Sequence, residues 1–383
     1  MDGTLVPPDW PPLTLAELRP LLAQFPLLGE PVRIDSVSPR PFSAAGVVAT
    51  RDARIFIKRH DSSVRNREGL LEEHRFMAHL LSRGAPVPRV LASASGETAI
   101  EIGDWTYEIH GIPAGIDLYE DAISWTPFRT AAHAHSASQA LARLHLAAQG
   151  FSAPARKPRP LVAGFTLFAA SDPASAMERY LRARPALADH KAVRACADQA
   201  LELLAPFHAE LLPLFPALAP LWTHNDLHAS NLFWSDASPN AFATAVIDFG
   251  LADRTDAVHD IAHAIERNIV EWLTLVQNAK QPPVVHFDHL EAFLDGYESV
   301  RPLSCEERAA LAPMTALCHA EFALSEADYF LGVLGSEERA AMAYDGWLVG
   351  HARWFRGSGQ CLIDALRRWA DTRTRQPEEF AAR

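Results

Sequence analysis

Two short segments hold residues whose types and spacing suit work on phosphate and a divalent cation. Residues 221–231 read L-W-T-H-N-D-L-H-A-S-N, and residues 245–250 read A-V-I-D-F-G. Asp226 is followed by Asn231, and an apolar run then delivers Asp248. Phosphoryl transfer asks little covalent chemistry of a protein. It needs oxygen ligands for Mg²⁺, a carboxylate beside the attacking hydroxyl, and cationic support for the phosphates. Taken singly, each of these residues reads as a turn or cap residue. Together, ending in D-F-G after a strand, they read as the site of a phosphotransferase.

The elements that must position them follow from periodicity. Strands are expected at Val32–Val37, Val47–Thr50 and Arg54–Arg59, the last as R-I-F-I-K-R with Lys58 near its end. A helix is expected over Glu68–Arg83, stopped by Gly84 with Pro86 and Pro88 behind it. Thr98–Glu101 and Thr106–His110 complete a set of strands, after which Gly111, Pro113 and Gly115 break the pattern. Beyond about residue 116 the chain reads as helices: Thr130–Ala148, Ser175–Arg184, Lys191–Leu204, Val258–Gln277, His289–Ser299, Glu306–Glu326 and Glu337–Ala370. Short strands at Leu232–Trp234 and Ala243–Asp248 frame the motif. The change from strands to helices near residue 110 marks a lobe boundary. The expected organisation is a Pro-rich arm with a short helix over 1–28, a nucleotide-binding lobe over 29–110, a helical lobe over 111–370 and a polar tail over 371–383.

Composition narrows the partners. The 383 residues carry a net charge of −12, which disfavours nucleic acid as a main partner. The four cysteines, Cys196, Cys305, Cys318 and Cys361, match no zinc spacing and read as free buried thiols of a reducing compartment. The N-terminus has no signal-peptide pattern, and the apolar run 200–222 carries charges and prolines unsuited to a bilayer. A cytoplasmic protein with no membrane partner is expected.

H-N-D-L-x-x-x-N followed by D-F-G is close to the protein-kinase signature, and the chain more closely resembles the aminoglycoside phosphotransferase family, with its choline, homoserine and stress-response kinase relatives. The resemblance is carried by His224-Asn225-Asp226 with Asn231, by D-F-G, by Leu144–His145, by the Gly84–Pro88 turn and by Asp260-Ile261-Ala262. The run L-L-E-E-H-R-F is similar to the bacterial stress-response branch. The resemblance implies an α+β, two-lobed protein kinase-like fold, ATP and Mg²⁺ as cofactors, and a hydroxyl acceptor. It implies Asp226 as catalytic base, Asn231 and Asp248 as Mg²⁺ ligands, and Lys58 on the nucleotide phosphates. Lys58 is expected to pair with Glu73, or else Glu72, since neighbours on a helix point about 100° apart. His224 is expected to brace the catalytic loop and Asp260 to anchor it. Backbone groups of Ser43–Gly46 are expected at phosphate, and those of Glu108, Ile109, His110 and Gly111 at adenine, with Ile57, Ile109 and Ile247 as walls.

Three departures matter. Asn225 stands where the family has Gly, a position Asn tolerates in left-handed backbone. The phosphate loop F-S-A-A-G-V has a single Gly46. No A-P-E follows D-F-G, which points away from protein substrates and toward a small-molecule hydroxyl of amino-alcohol, amino-sugar or sugar-like type. Asp253, Asp256 and Glu266 would suit an amine on that acceptor, and Tyr329, Trp347 and Trp354 could line its cleft. The alternatives are a stress-response-type Ser/Thr kinase, a pseudokinase binding module, and a metal-dependent hydrolase using His224, Asp226 and His228.

Overall fold

The computed structural model describes residues 8–277 and 281–381. The N-terminal part begins with α1 (Leu15–Leu22), then the strands β1 (Pro31–Val37), β2 (Ala44–Thr50) and β3 (Arg54–Asp61). The helix α2 (Arg67–Ser82) follows, capped by Asn66, whose side chain accepts the Gly69 N–H at 3.0 Å. The strands β4 (Ala99–Ile102) and β5 (Trp105–Gly111) complete an antiparallel sheet in the order β1-β2-β3-β5-β4. Period-2 alternation divides its faces. Ile55, Ile57, Tyr107 and Ile109 pack with Leu18, Leu21 and Leu22, so α1 belongs to the sheet's own core. Lys58, His60, Glu108 and His110 take the opposite face, toward α2.

Gly46 lies inside the ladder, opposite Val37 on β1 and Ile57 on β3. A Cβ there would meet the Ser36 carbonyl oxygen at 2.3 Å. Strand packing demands this glycine, and the β1–β2 turn is residues 38–43, not a loop containing Gly46.

The remainder is helical around small sheets. It comprises α3 (Ala131–Ala148), α4 (Pro173–Arg182), α5 (Pro185–Ala188) and α6 (Lys191–Leu211). The strands β6 (Pro220–Thr223), β7 (Leu232–Trp234), β8 (Ala243–Val246) and β9 (Asp253–Asp256) come next. The helices α7 (Ala257–Ile269), α8 (Leu273–Gln277), α9 (Phe287–Glu298), α10 (Cys305–Leu317), α11 (Ala320–Gly332), α12 (Glu337–Ala341), α13 (Gly350–Arg356) and α14 (Gln360–Ala381) close the chain. β6 pairs with β9 and β7 with β8, framing the segment 224–231.

Three long expected helices are broken. The first ends where Val270 turns extended, bridging Val285. The second parts at Cys318–His319, between α10 and α11. The third contains a π-helical stretch, Met342–Val349, and a break at Gly357–Gly359 before α14, which runs past residue 370. No helix among the described residues is long and apolar enough to cross a membrane. The four cysteines are free, but only Cys318 is buried; Cys305 and Cys361 are exposed.

Glu108 ties the sheet to α2. Its carboxylate meets His60 at 3.0 Å, His74 at 2.9 Å and His110 at 2.8 Å. Burial alone would raise its pKa, but His110, His60 and His74 together hold it well below the ordinary glutamate value. A carboxyl depressed by folding stabilises the native state above its unfolded pKa of about 4.3, and that contribution fades as pH falls through the native value. Glu108→Gln should therefore lower the unfolding free energy by about 2–3 kcal/mol at neutral pH. Urea denaturation of both proteins should show the deficit narrowing below about pH 4.3.

Candidate active site

The segment between β6 and β7 is held from beneath by Asp260 on α7. Its carboxylate accepts the N–H of His224 at 2.8 Å, the N–H of Asn225 at 2.8 Å and Nε2 of His145 at 3.0 Å. Burial would raise its pKa, but the bond and charge of His145, with His224, keep Asp260 below its usual value. Asn225 sits at φ 59°, the left-handed conformation that a glycine-like position requires. Its Oδ1 accepts from Thr223 at 2.8 Å and Thr255 at 3.1 Å, and its Nδ2 donates to Leu251 O at 3.2 Å. Asn thus adopts the glycine conformation and adds a side-chain lock that glycine lacks. Asn268 clamps the other end of the loop, accepting from Ala229 N and donating to Leu227 O.

His224 spans the loop and the D-F-G strand. Its Nε2 donates to Ile247 O at 2.9 Å, and its Nδ1 accepts Asp226 N–H at 3.2 Å. Both ring nitrogens are thereby engaged, which corrects the H-x-D-x-H metal reading. His228 is 3.9 Å from Asp226, and its Nδ1 is shared with Ser230.

Asp226 accepts from Asn231 Nδ2 at 3.3 Å, while the same amide donates to Asp226 O at 2.9 Å. Its Oδ1 takes an ion pair from Arg267 Nη1. Burial pushes the Asp226 carboxyl above its ordinary value, against the pull of Arg267 and His224. Asp248, also at φ 59°, accepts from Lys58 Nζ at 3.0 Å across the lobe boundary. Burial would raise Asp248, but the charge and hydrogen bond of Lys58 hold it well below its usual value. Lys58 responds reciprocally: burial pulls it down, and Asp248, Glu108 and Glu73 together leave it raised.

The expected Lys58–Glu73 pair is not formed. Glu73 is buried and accepts from Arg65 and, at 2.9 Å, from Arg156 Nη2. Both arginines also donate to Gly250 O of D-F-G, at 2.7 and 2.9 Å. Glu72 accepts from Arg156 Nε at 3.2 Å. The two α2 carboxylates therefore fasten the loop after Asp248 through arginines, leaving Lys58 to Asp248.

Other expectations are relocated. The backbone of Glu108 pairs with Lys58 on one side and Ala99 on the other. His110 pairs with Phe56 and bridges Val90, and Gly111 N donates to Arg89 O. The ladder ends at Gly111, so free backbone at the lobe junction begins at Ile112. Ile57 and Ile109 are core on the α1 face, opposite Lys58, and are not walls of its groove. Ser43 closes the β1–β2 turn and is buried. Asp253 accepts the N–H groups of Arg156 and Arg254, and Asp256 caps α7 through His259 N at 2.9 Å. Tyr329 bonds Asp9 at 2.9 Å, and Trp354 packs on Trp272 and Phe355. Trp347 is edge-on to Trp125.

Four arginines complete the site without having been singled out in the sequence. Arg65 and Arg156 are described above. Arg40, in the β1–β2 turn, donates to Ala122 O and Ser124 Oγ and acts electrostatically on Asp248 and Asp226. Arg267 lies under Phe322, 4.4 Å from the ring centroid, and near Trp125, 5.5 Å away. Trp125 has φ 70°, uncommon for a bulky residue. Arg267 did leave a signal: it lies two helical turns beyond Asp260, on the same face of α7.

A family model described as "Phosphotransferase enzyme family" (APH) matches residues 43–303. The homoserine kinase of Xanthobacter autotrophicus (strain ATCC BAA-1158 / Py2) is 30% identical over 247 residues, 64% of this chain. The match spans 65% of that relative's length. Among solved structures, a microcompartment-associated aminopropanol kinase aligns with TM-score 0.58 and 17% identity, covering 90% of this chain and 98% of its own. An aminoglycoside phosphotransferase from Alicyclobacillus acidocaldarius aligns with TM-score 0.53 and 18% identity, covering 95% and 98%. A thermostable mutant aminoglycoside phosphotransferase, in ternary complex with ADP and hygromycin B, aligns with TM-score 0.53 and 16% identity, covering 89% and 99%. These likenesses agree with the two-lobed α+β kinase-like architecture. With the family model matching well over half of the residues, the chain belongs to the APH phosphotransferase enzyme family.

Proposed function

We propose that the protein transfers the γ-phosphate of ATP to a hydroxyl of a small molecule, with Asp226 beside the attacking oxygen. The observation that carries this reading is the Lys58–Asp248 ion pair. It joins the sheet lobe to the D-F-G carboxylate, next to a loop in which Asp226 and Asn231 are hydrogen-bonded. Among the described residues nothing donates a hydrogen bond to Asn231 Oδ1 or Asp248 Oδ2, and hard oxygen donors of this kind fit Mg²⁺. Bound there, Mg²⁺ would neutralise charge on the transferring phosphates. Lys58 and Arg40 contribute further positive charge on the sheet side. Asp226 orients the acceptor hydroxyl and takes its proton; burial favours proton uptake and Arg267 restrains it.

Around Arg267, the ion-pair partner of Asp226, stand Phe322, Trp125 and Glu326, and we place the acceptor there. Glu326 is buried, and its Oε2 has no hydrogen-bond partner among the described residues. Burial pushes its carboxyl up to about 8, with Arg267 opposing and Asp226 adding to the rise. An ammonium on the acceptor would supply both the missing donor and the charge that ionises Glu326. This supports an amino-alcohol or amino-sugar and moves the acidic contact from Asp253, Asp256 and Glu266 to Glu326. Homoserine and aminopropanol, named in two of the similar proteins, both pair a hydroxyl with an amine.

ADP release across a panel of amino-alcohols, amino-sugars and sugars tests the reading. Asp226→Asn should lower kcat by about 10²–10⁴ while leaving the nucleotide-induced thermal shift in place. Equal rates for wild type and variant on every compound would refute catalysis by Asp226. Phosphorylation confined to protein Ser/Thr would refute the small-molecule acceptor. Glu326→Gln should raise KM for amine-bearing acceptors about tenfold and leave KM for ATP unchanged. An equal effect on amine-free acceptors would remove Glu326 from amine recognition.

A further inference from the structure

A second polar cluster, sharing no residue with the Lys58–Asp248 pair, adjoins Arg267. Glu266 on α7, His319 at the α10–α11 break and His351 on α13 converge, all buried. His351 Nδ1 is 3.0 Å from Glu266 Oε1, and His319 Nδ1 is 3.6 Å from the same oxygen. One ligand atom from each residue lies within 4.8 Å of the other two. Yet among the described residues neither oxygen of Glu266 and none of the four ring nitrogens of the two histidines makes an aligned hydrogen bond, the 3.0 Å His351–Glu266 contact included. Buried polar atoms rarely go unpaired, so six together call for a ligand. The contrast with His74, Glu108 and His110 is direct, since that group also converges but is joined by hydrogen bonds.

We propose that Glu266, His319 and His351 form a binding site for a divalent cation of the zinc class, separate from the nucleotide's metal. Two imidazoles and one carboxylate are a donor set suited to Zn²⁺. The spacing agrees. Nitrogen and oxygen ligands at zinc distance in tetrahedral geometry stand roughly 3.3 Å apart, and the two distances to Glu266 Oε1 bracket that value. An organic ammonium would need its partners roughly 4.7 Å apart, wider than either contact.

The surroundings suit a structural ion. Both imidazoles are buried beside the Glu266 carboxylate, away from competing solvent. Trp272 stacks on His351 with centroids 3.6 Å apart, fixing that ring. Neighbouring Arg267 is ion-paired with Asp226 on its other side. The ion would join α7, the α10–α11 break and α13, and so brace the helix that carries Arg267.

The test is metal content of the full-length protein, prepared without added metal and measured by mass spectrometry. About one zinc per chain is expected, retained in Asp226→Asn and in the double variant Asn231→Ala/Asp248→Asn. Loss is expected in His319→Ala/His351→Ala. Should that variant not fold, chelator-stripped wild type serves instead. Zn²⁺ should raise its melting temperature, and Co²⁺ should give the visible absorption of a four-coordinate histidine site. Glu266→Gln should weaken both responses. Metal-free protein whose melting temperature ignores Zn²⁺ and Co²⁺ would overturn the site, as would zinc that disappears with Asn231→Ala/Asp248→Asn. Neither result bears on phosphotransfer, which is read separately by Asp226→Asn.

Discussion

The loop that carries Asp226 depends on one buried carboxylate. Asp260 collects two successive backbone N–H groups, of His224 and Asn225, and the imidazole of His145. Two adjacent amides can point at one acceptor only if the chain turns sharply, and the left-handed conformation of Asn225 makes that turn. The turn sends Asp226 away from Asp260 and into the groove. His224 then binds the loop to Ile247, one residue before Asp248, so the two aspartates are positioned by a shared brace.

The lobes meet through charges of graded burial. Lys58 is the sheet's cation at the groove, and its partner is the D-F-G carboxylate. Glu73, on the neighbouring helix, acts one step removed by holding two arginines that grip Gly250 O. Each buried charge has an opposite charge or several donors, as low-dielectric surroundings demand. The deeper clusters differ in this respect. Glu108 is fully hydrogen-bonded by three histidines, whereas Glu266 faces two histidines with which it makes no hydrogen bond. The same residue types thus serve as a structural tie in one place and as a cation-binding group in the other.

Much of the scaffold was legible locally. The alternation of R-I-F-I-K-R placed Lys58 on the face opposite Ile57, which is also why Ile57 and Ile109 could not line the groove with it. The periodic run after Asn66 located α2. The expectation for Gly46 failed because a glycine demanded by close strand approach looks, in sequence, like one demanded by a turn. The long helices near the C-terminus were over-extended. Their breaks at Val270, Cys318–His319 and Met342–Val349 are imposed by packing, and no proline or glycine marks the first two.

By itself the sequence determined which residue types stand at Asp226, Asn231, Asp248 and Lys58, because these lie on short contiguous segments whose spacing constrains the backbone. It also settled that Asn225 could take a glycine's conformation. The tertiary structure decided which cations meet which carboxylates. Arg267 reaches Asp226 from 41 residues away, Arg156 reaches Glu73 from 83, and Arg65 reaches Gly250 from 185. No local period records such pairings. They depend on how the lobes and helices pack, and burial then selects the partner that leaves the fewest charges unpaired.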